Sequence, residues 1–149
     1  MADTVLGLVW RIHTDGTSLP EVWTADPLLT PVPLPLTPGP NGLQVFRDEV
    51  YVAVSDRAHI VAFPILEDGA AGPGRVHAAG IALDDFAFDV NGNLYGTTDP
   101  FNTVARVAPS AVGDHDSPTR GARLPRSLLT FRDSSNGACG SSSGKSSAS

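Results

Sequence analysis

PNGLQVFRDEVYVAVSDRAHIVAF, residues 40–63, recurs 44 positions later as DDFAFDVNGNLYGTTDPFNTVARV, residues 84–107, with no gap between the copies. The shift sets Asn41 on Asp85, Leu43 on Ala87, Val50-Tyr51 on Leu94-Tyr95, Ala53 on Thr97, Ile60 on Val104 and Phe63 on Val107. Each copy reads as a polar residue, a short apolar strand, a tight turn, a second strand, a polar turn and a third strand. In the second copy these fall at Asp85, 86–88, 89–93, 94–97, 99–103 and 104–107. Asn91-Gly92-Asn93 and Asp99-Pro100 carry the turns, because Gly and Asn tolerate positive φ and Pro fixes φ. The pattern predicts two β-meanders.

A fixed period of roughly 40 to 50 residues holding three or four short strands is the sequence form of a β-propeller blade. One blade buries little alone and must stack on neighbours. The expected fold is all-β: an incomplete β-propeller of two to three four-stranded antiparallel blades. A β-sandwich of two similar meanders is the alternative. At 149 residues the chain holds about three such units, whereas closed propellers have roughly four to eight. The expectation is therefore a piece of a larger propeller, or a chain that associates through its open blade edges.

Upstream, Val9-Trp10-Arg11-Ile12 aligns with Ile60–Phe63 and with Val104–Val107, which makes it the third strand of a blade whose first two strands are absent. Glu21–Thr24 and Arg75–Ala79 read as outer strands. Six prolines between Pro27 and Pro40 remove the donors a central strand needs, predicting a stiff extended connection. Downstream the pattern stops near Val112. Residues 1–112 carry five basic and thirteen acidic side chains, a balance of −8, and residues 113–149 five and three, a balance of +2. The expected domains are a partial propeller over 1–112 and a low-complexity tail over 113–149. Leu128–Phe131 is the one stretch of that tail able to form a strand, and disorder is expected from about 133.

The net charge of −6 and the lack of a basic stripe argue against a nucleic-acid partner. No apolar run approaches the roughly 20 residues of a membrane span. Met1-Ala2-Asp3-Thr4 lacks the basic region of a secretory signal, which leaves location open for a longer parent. Cys139 stands alone, so no intrachain disulfide is possible.

Asn41 and Asp85 are the candidate chemical pair. Both precede a first strand at the same place in successive repeats, and blades related by rotation would point both toward a common channel. Two oxygen donors there form part of a site for a hard cation, Ca²⁺ foremost, which takes roughly six to eight oxygens. The competing reading is a turn in Pro40-Asn41-Gly42 and a loop cap at Asp84-Asp85.

Gly39-Pro40-Asn41-Gly42-Leu43 and the run Leu83-Asp84-Asp85-Phe86-Ala87-Phe88-Asp89-Val90-Asn91-Gly92-Asn93-Leu94-Tyr95, with the segment from Ala2 to Ile12, resemble the senescence marker protein, gluconolactonase and strictosidine synthase-like family over roughly residues 2–108. The resemblance implies a six-bladed propeller with a divalent metal, often Ca²⁺, in its central channel. It makes Asn41 and Asp85 metal ligands and Asp85 the catalytic base of lactone hydrolysis, with a small lactone or ester as substrate. A metal-dependent hydrolase, truncated or incomplete, is the function expected, and a non-catalytic propeller binding module is the alternative. The family's first-blade Glu has no counterpart here, and Asp85-Phe86 stands where many members have Asp-Gly.

Other matches point elsewhere. Asp89–Asn93 imitates the start of a Ca²⁺-binding EF-hand loop, but its Gly is misplaced and Pro100 occupies the closing position, so it reads as a turn. Gly140–Gly144 satisfies a nucleophile-elbow string in a Ser-rich tail with no flanking strand or helix. His13, His59, His77 and His115 have no metal-ligand spacing and read as surface or turn residues. Trp10, Trp23, Tyr51 and Tyr95 read as packing between blades, and Arg11 and Arg106 as solvent-facing or paired with acids.

Overall fold

The computed structural model describes residues 1–32, 38–98, 101–109 and a strand at Leu129–Arg132. The fold is all-β, in three antiparallel sheets of successive strands. The first contains β1 (Ala2–Asp3), β2 (Leu8–Arg11) and β3 (Glu21–Thr24); the second β4 (Pro40–Phe46), β5 (Glu49–Val54), β6 (His59–Pro64) and β7 (Arg75–Ala79); the third β8 (Phe86–Phe88), β9 (Leu94–Thr98), β10 (Thr103–Val107) and β11 (Leu129–Arg132). Each sheet is a meander in which neighbours in sequence are neighbours in space. No helix among the described residues is long and apolar enough to cross a membrane.

The 44-residue echo is visible in the strand register. Val50 pairs with Phe63 and Ala53 with Ile60 in the second sheet, while Leu94 pairs with Val107 and Thr97 with Val104 in the third. The gap-free match fails at the first hairpin. Leu43 faces Val52, but Ala87 faces Tyr95, one position out of step. The cause is the turn: Arg47-Asp48 joins β4 to β5, whereas five residues, 89–93, join β8 to β9. Within that longer turn Asp89 accepts from the Asn91 and Asn93 amides at 2.9 and 2.8 Å and from Asn93 Nδ2 at 2.7 Å, with Gly92 at φ 83°. The Asn93 side chain, then the backbone donors, hold the Asp89 carboxyl below its ordinary value. A carboxylate spent on its own turn explains why this segment is a turn and no EF-hand loop.

Because side chains alternate across a strand, β5 and β6 cover both neighbouring sheets. Val50, Val52, Val54, Val61 and Phe63 pack with Val9, Leu29 and Trp23 toward the first sheet. Tyr51, Ala53, Ile60 and Ala62 pack with Leu83, Phe86, Leu94, Ala105 and Val107 toward the third. Equivalent positions therefore keep the same sense: Phe63 and Val107 face the preceding sheet, and Val9 and Ile60 face the following one. β1 approaches β4, and β4 approaches β8, so the leading strands of adjacent sheets lie side by side.

Several expectations need correction. The first sheet does not start at its third strand, since β1 is a two-residue remnant of the strand before it, pairing Ala2 with Val9 and Asp3 with Leu8. This sheet has three strands. Tyr51 is buried at 6%, but Tyr95 is 38% exposed and packs nothing between sheets, because no described sheet follows the third. Arg11 pairs with Glu21 at 2.6 Å as expected. Arg106 instead donates to a carboxamide, Asn93 Oδ1, at 2.7 and 3.1 Å. His59 and His77 lie in strands, with His77 edge-on to Tyr51 at 5.0 Å. The connection after β3 begins as a 3-10 turn, Pro27–Leu29, capped by Asp26, and plugs fully buried Leu29 into the core. Residues 33–37 and the tail expected to be disordered from about 133 lie outside the described residues. The strand anticipated at Leu128–Phe131 is β11, one residue later, and it pairs with β10.

Candidate functional site

The approach of β4 to the start of β8 decides where the candidate residues sit. Gly42 lacks a side chain, and a Cβ there would lie 2.7 Å from the Asp84 carbonyl oxygen and 2.9 Å from Asp85 Cα. That clearance lets the Gly42 amide donate to Asp84 O at 2.9 Å. On the other side the Asp84 amide donates to Thr97 O, and the Thr97 amide to Asp85 O, both at 2.9 Å. The Asp84-Asp85 pair is thus clamped between the second sheet and its own.

Asn41, the second residue of β4, donates through Nδ2 to Asp84 Oδ1 at 2.7 Å. Asp85 lies beside Gly42: the Cβ that Gly42 lacks would be 3.0 Å from Asp85 Oδ1. That oxygen accepts from the Phe86 amide at 2.8 Å, which fixes the carboxylate. Among the described residues, Asn41 Oδ1 and Asp85 Oδ2 have no hydrogen-bond partner. Asn41 is half-buried, and both acids are exposed. The two residues picked out by the repeat therefore lie at one end of adjacent sheets.

The residue that sequence reasoning undervalued is Asp84. Taken there as a loop cap, it is the direct partner of Asn41, and its signal was the acidic doublet at the head of the repeat. Beside it is a recess of about 340 Å³ lined by Thr97, Thr98, Asn102, Thr103 and Val104.

A divalent cation fits this donor chemistry in part. Carboxamide and carboxylate oxygens are hard donors. Among the described residues no group of three or more His, Cys, Asp or Glu side chains is placed to hold a metal. Asn41 and Asp85, with Asp84 beside them, would supply a minority of the roughly six to eight oxygens that Ca²⁺ takes.

A second cleft of about 240 Å³ opens at the far end of β4, around Phe46, Glu49, Tyr51, Arg75 and His77. Glu49 Oε2 accepts from Tyr51 OH at 2.8 Å and from Arg75 Nη2 at 2.9 Å. Burial, reinforced by the Arg75 charge, holds His77 below its ordinary value. No hydrogen bond among the described residues connects it to the Asn41 end. His115 and the Gly140–Gly144 string lie outside the described residues. No protein-family model matches the chain, and no curated protein matches it.

Proposed function

We infer that the three sheets are successive blades of an incomplete β-propeller, and that the chain supplies part of the divalent-cation site of a lactone or ester hydrolase. The blade reading is supported by the constant sense of equivalent side chains from sheet to sheet. The site reading is carried by one observation: Asn41 and the Asp84-Asp85 doublet, a repeat apart in sequence, meet through the 2.7 Å Asn41–Asp84 bond.

In this reading Asn41 Oδ1 and the Asp85 carboxylate are ligands, with Ca²⁺ the favoured ion. When bound, the ion supplies Lewis acidity toward a lactone or ester carbonyl. Asp85 is also the base: Oδ1 is pinned by the Phe86 amide, which leaves Oδ2 to accept a proton from an attacking water. Asp84 positions Asn41, and the recess of about 340 Å³ beside it has room for a small polar substrate. A second reading, a non-catalytic binding module, is favoured by the same 2.7 Å bond, because an Asn–Asp link between adjacent sheets also serves as a structural tie.

Thermal melts of the full chain test the cation site that the hydrolase reading requires. Ca²⁺ at about a hundred times its dissociation constant stabilises a folded protein that binds it by about 2.7 kcal/mol. The expected result is a Tm several degrees higher with Ca²⁺, and no rise in Asp85→Asn. A melt that Ca²⁺, Mg²⁺ and Mn²⁺ all leave in place removes the hydrolase reading for this chain, and an undiminished rise in Asp85→Asn removes Asp85 from the site.

A further inference from the structure

Among the described residues, the same face-to-face contact is made twice and each half of it is left open once. On the third sheet, Tyr95 pairs with Arg106 and Thr97 with Val104, so these four share one face. Shifted back by 44 residues they are Tyr51, Ala62, Ala53 and Ile60, which the third sheet covers in the core. Among the described residues nothing covers their counterparts, and Tyr95 and Val104 are 38% and 41% exposed.

The first sheet is open on the opposite side. Val9 and Trp23 face the second sheet, so the Trp10–Val22 pair points away from it. Trp10 aligns with Val61, which is fully buried against the first sheet. Ile12 aligns with Phe63, which is also fully buried against the first sheet, yet Ile12 is 51% exposed.

We propose that these two faces dock on each other between two copies of the chain, the first sheet of one copy stacking on the third sheet of the other. The chain's own packing supplies the occupant: in the strands it has, each open face carries the positions that form one side of an interface made internally. Charge agrees. Asp3, bonded to Trp10 Nε1 at 3.1 Å, belongs to the first-sheet face, and the third-sheet face carries Arg106, with Asp89 at its edge 3.5 Å from Tyr95 OH. Asp3 meeting Arg106 favours the head-to-tail pairing over Asp3 meeting a second Asp3. Two copies that each use both faces form a closed ring with two-fold symmetry, whereas a rotation that fails to close would give open fibres. The proposal needs no metal and stands apart from the hydrolase reading.

The test is the mass of the full chain in solution by light scattering, at about 100 µM, where an interface of ordinary size is populated. A dimer is expected. Tyr95→Asp and Ile12→Asp each place a carboxylate in the contact and should weaken association about tenfold or more. Leu66→Asp, exposed in the β6–β7 connection of the second sheet and part of neither face, should not weaken it. Both test positions are exposed, so far-UV circular dichroism, and Tm at a dilution where the wild type is monomeric, should stay near wild type. Mixing the two weakened variants restores one intact contact, and the mixture should associate better than either variant alone. A wild-type monomer overturns the proposal, as does a dimer that neither substitution weakens. A mixture no better than its components overturns the head-to-tail arrangement.

Discussion

Phe63→Ala lowers the unfolding free energy by roughly 3–5 kcal/mol and Tm by well over about 10 °C for a domain of this size. Phe63 is fully buried in the apolar layer between the first and second sheets. Its ring meets Trp23 edge-on at 6.1 Å and 78°. A Cβ on Gly74 would sit 2.5 Å from Phe63 Cε1, which shows how closely backbone wraps the ring. Truncation loses the ring's transfer free energy and opens a cavity that rigid strands cannot collapse into. Typical domains are stable by only about 5–15 kcal/mol, so the variant unfolds near physiological temperature. Trp23 fluorescence follows the transition directly, and a Tm within about 3 °C of wild type would mean that the first two sheets do not pack through this ring.

Gly42→Ala attacks the neighbouring junction by a different route. The new methyl meets the Asp84 carbonyl oxygen and Asp85 Cα, both backbone, at 2.7 and 2.9 Å. Neither atom can swing aside as a flexible side chain would, so β4 and the 84–85 segment must separate. The expected cost is about 1–3 kcal/mol, with loss of the Gly42–Asp84 and Asn41–Asp84 bonds and of any Ca²⁺-induced rise in Tm. Asn41→Ala is the control: it removes one partly exposed hydrogen bond without a clash and should cost about 0.5–1.5 kcal/mol. Equal stability in the two variants, with Ca²⁺ response retained in Gly42→Ala, would mean that close backbone contact does not build the site.

Much of this was legible in the chain because strand alternation and period are local signals. The paired apolar runs at 50–54 and 60–63 and their echoes at 94–97 and 104–107 gave the strands, and the outer strands Glu21–Thr24 and Arg75–Ala79 fall where turn residues bracket them. What escaped depended on contacts distant in sequence or on the ends of the stack. Tyr51 and Tyr95 occupy the same place in the repeat, yet one is buried and the other exposed, because burial depends on whether another sheet follows. The register slip between β4 and β8 came from turn length, which residue matching without a gap cannot register. β1 was missed because two residues carry no periodicity. The placement of Asn41 and Asp85 at one end of adjacent sheets was legible from repeat position. The role of Asp84 was not, since it depends on the approach of β4 that Gly42 permits.

Paramagnetic broadening by Mn²⁺ reads the site's location residue by residue. In ¹H–¹⁵N spectra of the full chain titrated with substoichiometric Mn²⁺, the amides of Asn41, Gly42, Asp84, Asp85 and Phe86 should broaden first and together, and excess Ca²⁺ should restore them. Broadening that begins at other surface acids such as Asp15 or Asp68, or that spares the Asn41 segment while affecting Asp85, would contradict a shared cation site at the meeting of the two repeats.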